Sequence, residues 1–246
     1  MDNILISIIT PCFNSEKTIT KTLESVLNQT YQNYEYIIVD GKSTDDTLKI
    51  VKQYEGAFGG RLKIISEKDD GIYDAFNKGI NMATGKLVGI VSSNDFYEKN
   101  ALENIAKEYN NEKYAILYGY QRTLVDGKEC SVVIYNHEFI KQKMITHPTC
   151  FVTKELYSDL GVYSLEYKSS SDYDFMLRIT QSKEVVFKPV YKIISNFELG
   201  GISSSLVGEK ETLEIKKKYN LISTKKYFCK KCFLFIVGII KTFKKK

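Results

Sequence analysis

Carboxylates in this sequence gather where they could move protons or hold a cation. Asp172 and Asp174 sit in Ser171-Asp172-Tyr173-Asp174, just ahead of the apolar residues Phe175, Met176, Leu177 and Ile179. A carboxylate at such a position can take the proton from an attacking hydroxyl, which is general-base work. The same pair also suits the positive end of a helix dipole, with no chemistry attached. Asp40 precedes Gly41, with Ser43 and Asp45 close behind. Asp40 can accept from a hydroxyl or an imide N–H, while Ser43 and Asp45 serve equally as helix caps. Asp74 and Lys78 are one helical turn apart and can pair on one face, and Gly71 ahead of them permits a close backbone turn. Asn94 and Asp95 end the run Ser92-Ser93-Asn94-Asp95. They offer the oxygen ligands that Mg²⁺ or Mn²⁺ prefers, with a single negative charge between them.

The elements that must position these groups follow from apolar periodicity. Ile4 to Thr10 reads as a buried strand that ends at Pro11-Cys12-Phe13-Asn14, and Asn14 or Ser15 caps the next helix, through Leu23, Val26 and Leu27. Tyr34 to Val39, Leu62 to Ser66 and Leu87 to Ser92 are further strands. Helices start at Ser43 to Asp46, run over Gly71 to Met82, and run over Asn100 to Tyr109. Strands that alternate with helices imply a parallel, doubly wound sheet. Ligands bind beyond the carboxyl ends of such strands, where the polar clusters fall. No Gly-x-Gly-x-x-Gly loop or Lys-Ser/Thr phosphate loop is present, which weakens dinucleotide and nucleoside-triphosphatase readings. In the second half, Ala115 to Gly119, Thr123 to Val125, Ser131 to Tyr135 and Val185 to Ile194 read as strands, the last interrupted at Pro189. A turn falls at Asp126-Gly127, and His137 to Lys143 reads as a short helix.

Composition narrows the class. The 246 residues are 43% hydrophobic and 26% charged, ordinary for a folded domain. Five scattered cysteines give no disulfide framework. Cys229 and Cys232 form a C-x-x-C, but a zinc site needs about four ligands and His137 and His147 are distant in sequence. From Lys216 onward there are eleven lysines and no acid against a whole-chain charge of +5, which leaves −6 for the rest. The expected division is therefore a body over 1–215 and a basic amphipathic tail over 216–246. The apolar run Phe233 to Ile240 is far short of the ~20 residues of a spanning helix. Lysines interleaved with Tyr227, Phe228, Phe233 and Phe235 suit an anionic lipid surface. The acidic body offers no broad basic face to nucleic acid, and Met1-Asp2-Asn3 does not open a signal peptide.

Ser7-Ile8-Ile9-Thr10-Pro11-Cys12-Phe13-Asn14 and Ile38-Val39-Asp40-Gly41-Lys42-Ser43-Thr44-Asp45 together resemble family 2 glycosyltransferases. The run from Ser66 through Asp69-Asp70-Gly71-Ile72-Tyr73-Asp74 to Gly79 is similar to a subgroup of bacterial polysaccharide clusters. The likeness covers about residues 4 to 206. It implies a GT-A fold: a Rossmann-like α/β, mixed and mostly parallel sheet flanked by helices. It implies an inverting transfer from a nucleotide-sugar, a UDP-sugar, to a saccharide or lipid-linked saccharide in surface polysaccharide synthesis, and the basic tail would hold the protein at the cytoplasmic face of the cell membrane. Thr10, Pro11, Phe13, Asp40 and Ser43 would meet the nucleoside, and Asp74, Lys78 and Asn94 would line the donor site. Asp95 and Asn94 would hold a divalent cation, and Asp172 would be the base with Asp174 as fallback. His147 would line the acceptor cleft, and Gly200-Gly201-Ile202-Ser203 would close over the phosphates. The family subgroup has Asn-Ser-Asp-Asp where this chain has Ser92 to Asp95, so metal dependence is put in question. Two alternatives stay open here. A catalytically decayed partner subunit fits Ser92 and Asn94. A sugar nucleotidyltransferase would need a Gly-rich basic loop, which Pro11 to Lys17 does not supply.

Overall fold

The computed structural model describes residues 3–199 and 206–243. Strands β1 (Ile6–Cys12) and β2 (Tyr34–Asp40) are buried at every residue. Both faces are covered, so they read as continuous apolar runs and not as alternating ones. β1 pairs in parallel with β2 and with β4 (Leu87–Ile90), and β2 pairs in parallel with β3 (Leu62–Ser66). The connections are α1 (Ile19–Leu27), α2 (Thr47–Gln53) with the single-turn α3 (Glu55–Phe58), and α4 (Ile72–Met82). α4 lies hard on β1, for a Cβ added at Gly79 would collide with Ile9.

Beyond β4 the sheet becomes mixed. β5 (Phe96–Tyr97), α5 (Ala101–Glu108), β6 (Ala115–Val125), β7 (Lys128–Val133), β8 (Phe151–Thr153), α6 (Lys154–Leu160), α7 (Ser171–Ile179) and β9 (Val186–Glu198) follow. Spatial order is β3-β2-β1-β4-β8-β6-β9-β5, with β7 on β6. β8 runs antiparallel to β4 and to β6, whereas β6 and β9 are parallel. The core forms two layers, one on each face. β1 sends Ile9 to one layer and Ile6 and Ile8 to the other, as the two-residue period of a strand requires.

Several expectations change in detail. Pro11 lies within β1, opposite Val39. α1 starts at Ile19, because residues 13–18 form a loop in which Asn14 has φ 49° and the Ser15 carbonyl accepts from Thr18 and Ile19. Asn14 and Ser15 are therefore not its caps. β6 is one strand, its expected break being a register shift around Tyr120. β9 runs through Pro189 without interruption. β5 covers β9 only at Ser195 and Asn196, so Pro189 sits where that side of β9 is an edge, a place that tolerates a missing N–H.

The boundary expected at 215/216 falls inside α8 (Leu206–Lys218), which buries Leu213 and Ile215. α9 (Thr224–Phe243) packs on α8 through Leu213, Tyr227 and Leu234. The Tyr227 hydroxyl and Lys231 both bond the Glu214 carboxylate, at 2.7 and 2.9 Å. No helix among the described residues is long and apolar enough to cross a membrane.

Candidate active site at the carboxyl ends of the strands

The loop after β1 ties the neighbouring clusters together. Asn14 N–H donates to Ser43 Oγ at 2.9 Å, and Asn14 Oδ1 accepts from Thr44 N–H at 2.8 Å. Ser15 bridges the other way, its N–H to Thr47 Oγ1 and its hydroxyl to Ser93, 2.8 Å away. The Asp40 turn and the Ser92–Asp95 turn thus flank one loop. Phe13 projects from it, 61% exposed, as a flat apolar face at the strand end. Thr10 and Pro11 are buried. The Thr10 hydroxyl pairs with Tyr36 at 2.9 Å, so its side chain faces the core and only its backbone is left for a ligand.

Asp40 is completely buried. Its oxygens accept from Ser43 N–H at 3.2 Å, Ser43 Oγ at 2.5 Å, Ser66 Oγ at 2.6 Å and the Cys12 thiol at 3.8 Å. Burial and the nearby Asp40 charge push the Cys12 thiol well above its ordinary pKa, so it stays protonated and inert. Asp40 closes its own turn, and a nucleoside would have to displace Ser43 or Ser66 to reach the carboxylate.

The Glu67–Lys78 segment folds around one ammonium. Lys78 Nζ contacts Asp69 at 2.7 Å, Asp74 at 3.0 Å and Glu67 at 3.1 Å, and also donates to the Lys68 carbonyl at 2.8 Å. Burial opposes its charge, but the three carboxylates outweigh burial and raise its pKa. Asp74 also takes the Asp70 N–H at 3.0 Å. Both expected donor-site residues are therefore engaged inside this loop. Its Asp69 reaches back to Gly41, where an added Cβ would stand 2.9 Å from Asp69 Oδ2. The loop so abuts the Asp40 turn.

Asp95 is 3% exposed. Oδ1 accepts from Glu198 N–H at the end of β9, 3.2 Å away. Burial pushes its pKa up to about 7, with the Glu198 charge adding to the rise and that N–H opposing it. Asn94 is half-buried beside it. No three His, Cys, Asp or Glu residues converge in a metal-holding group among the described residues. One carboxylate and one amide cannot cage a free ion. They do fit Mg²⁺ or Mn²⁺ delivered with a diphosphate, since such ions bind through one or two carboxylates plus substrate phosphates.

Asp172 and Asp174 part ways although they share the first turn of α7. Asp174 is 2% exposed and accepts from Lys218 at 2.8 Å and from the Tyr219 hydroxyl at 3.2 Å, which anchors α8. Asp172 accepts from the Tyr73 hydroxyl at 3.0 Å and from Tyr173 N–H at 2.9 Å, both on Oδ1. Its Oδ2 has no partner among the described residues, and Asp172 lines a cleft of about 620 Å³. His147 bonds the Tyr163 hydroxyl at 2.8 Å and stacks on Phe76 at 5.5 Å. Burial holds its pKa down, against the attraction of Asp172. The expected closing loop, 200–203, lies outside the described residues.

The family model for glycosyl transferase family 2 matches residues 7–155. The chain belongs to this family. This glycosyltransferase is 29% identical to a PGL/p-HBAD biosynthesis glycosyltransferase of Mycobacterium bovis over 213 residues, 85% of this chain and 83% of that one. It is 30% identical to the chondroitin synthase of Escherichia coli over 222 residues, 87% of this chain but only 31% of that protein. Among solved structures it resembles S. aureus TarS, with a TM-score of 0.69 and 21% identity over 90% of this chain and 40% of TarS. It also resembles the mannosyltransferase PcManGT from Pyrobaculum calidifontis in complex with GDP-Man and Mn²⁺, with a TM-score of 0.68 and 17% identity over 89% of this chain and 65% of that one. These likenesses place the glycosyltransferase in the GT-A fold.

Tyr73, Asn77 and Asp69 fall in the family-like run from Ser66 to Gly79, where the sequence assigns them no individual role. Asn77 exchanges two hydrogen bonds with the Tyr163 backbone, at 2.9 and 3.1 Å. With Tyr73 it makes α4 the strut between the two halves of the glycosyltransferase. Their helical spacing was visible; their partners, some 90 residues away, were not.

Proposed function

We propose that the protein is an inverting transferase that moves a sugar from a UDP-sugar to a saccharide or lipid-linked saccharide in bacterial surface polysaccharide synthesis. Asp172 is the base. Its Tyr73-bound oxygen fixes the carboxylate plane, and the other oxygen takes the proton of the incoming hydroxyl. The backbone of Thr10 to Phe13, with Asp40 and Ser43, receives the nucleoside. Asp74 and Lys78 shape the loop against which the donor lies. Asn94 and Asp95 hold a divalent cation that, when bound, offsets charge on the departing diphosphate. The observation that carries this reading is the contrast at α7, where Asp174 is consumed by Lys218 and Asp172 keeps one oxygen for the cleft.

The solved TarS complexes with UDP and with UDP-GlcNAc support a uridine donor, and the Mn²⁺ in PcManGT supports the cation. The Lys-rich α9, with Phe228 and Phe235 about 60% exposed, supports a seat at the inner face of the cell membrane. A screen of nucleotide-sugars by thermal shift, followed by turnover with and without Mn²⁺ for wild type and Asp172→Asn, tests the assignment. Stabilisation by a UDP-sugar and loss of turnover in the variant are expected. Full turnover in Asp172→Asn would overturn it.

A further inference from the structure

The cleft at Asp172 has a chemistry that general base catalysis does not use. Its walls are α7, α8, α9 and the segment before the 3₁₀ turn at 147–149. Lys143, Lys216 and Lys230 all line it, against Glu209 and Asp172 as its only acids among the described residues. Lys216 donates to the Gln142 carbonyl at 3.2 Å, and neither Lys216 nor Lys230 has a carboxylate partner among the described residues. Burial, and then repulsion from Lys230 and Lys226, lowers the Lys216 pKa. Such ammonium groups facing one another are unfavourable until an anion sits between them. Beside them lie Met144, Leu213, Phe233 and Leu234. Phe233 is 64% exposed, and the apolar surface continues along α9 through Ile236, 54% exposed.

Resting on the transferase reading above, we propose that this cleft seats the phosphate of an amphiphilic acceptor. Lys143, Lys216 and Lys230 grip a phosphate or diphosphate that links the acceptor sugar to a long hydrocarbon. The hydrocarbon leaves over Phe233 along the apolar side of α9, and the sugar hydroxyl is directed at Asp172. α9 is then a wall of the acceptor site as well as a contact with lipid.

The test compares two synthetic acceptors with the same sugar and hydrocarbon chain, one joined through phosphate and one through an ether oxygen. Wild type should prefer the phosphate acceptor. Lys216→Gln with Lys230→Gln should raise KM for that acceptor about tenfold, the scale of charge-assisted contacts, and should hold kcat. The ether acceptor should respond little, and Lys216→Arg with Lys230→Arg should recover the preference. Direct binding of the phosphate acceptor, followed by calorimetry, should weaken to match. It decides the proposal even if no nucleotide-sugar binds, an outcome that would count against the transferase reading alone. Equal losses on both acceptors, or unchanged binding in the double variant, overturn the proposal. So does an effect confined to phosphatidylglycerol vesicles without acceptor, because the lysines then serve bulk lipid.

Discussion

Tyr73 on α4 donates its hydroxyl to Asp172 on α7 across 3.0 Å and 99 positions of sequence. The bond joins the helix that starts after the Asp69–Gly71 loop to the helix that carries Asp172, the proposed base. Tyr73→Phe leaves Oδ1 with only the Tyr173 N–H and keeps the ring, which packs against Phe76 and Tyr163. We expect kcat to fall about tenfold through loss of orientation, with donor KM little changed. A parallel rise in donor KM would place Tyr73 in donor binding instead.

Asp172→Asn and Asp174→Asn should give opposite phenotypes. The first removes turnover and leaves the melting temperature near wild type. The second weakens the Lys218 and Tyr219 contacts that anchor α8 and costs about 2 kcal/mol. Melting curves and initial rates on both variants check the split.

Lys78→Met leaves Glu67, Asp69 and Asp74 facing one another without their shared cation. Burial already pushes the Asp69 carboxyl up, against the pull of Lys78. We expect a stability loss of about 2–3 kcal/mol and weaker donor binding, both read by thermal shift with and without UDP. Unchanged UDP affinity would disconnect this loop from the donor.

Asp95 couples stability to pH. Its folded pKa of about 7 lies above its ordinary 3.8, so the folded state holds the proton more tightly. The stability it contributes is full below about pH 4 and is lost as pH rises through 7. Asp95→Asn should therefore melt higher than wild type at pH 8, by about 5–15 °C, and nearly equal to it at pH 4. The same variant should lose Mn²⁺-dependent donor binding.

Glu35 has the reverse sign. Burial opposes its charge, yet Lys63, Ser7 and Thr84 hold its pKa down to about 2 from 4.5. Its contribution is full above 4.5 and disappears as pH falls toward 2. Glu35→Gln should cost about 2 kcal/mol at pH 7 and much less at pH 3, measured by urea unfolding at both.

The first half was legible in the sequence because its strands are covered on both faces and its polar clusters sit at their ends. β3 emerges with its expected limits, Leu62–Ser66. β5 and β8 have two and three residues, too few for any period to show. α9 was legible as a basic amphipathic tail, but its packing on α8 through Leu213, Tyr227 and Leu234 and its place beside Asp172 were not, because those contacts depend on tertiary partners. The Lys78 clamp was half visible, the Asp74 pairing through helical spacing and the Asp69 and Glu67 contacts not at all. That the Asp40 carboxylate is already satisfied by Ser43, Ser66 and Cys12 depends on three strand ends meeting, which linear order does not encode.

The Lys218–Asp174 ion pair has a bearing on engineering. It fastens α8, a wall of the Asp172 cleft, to α7, which carries Asp172, so exchanging one of these helices between relatives without the other breaks the pair. A graft meant to redirect acceptor choice should carry 171–243 as one block, keeping its own lysine and aspartate, onto a host that supplies a tyrosine at 73.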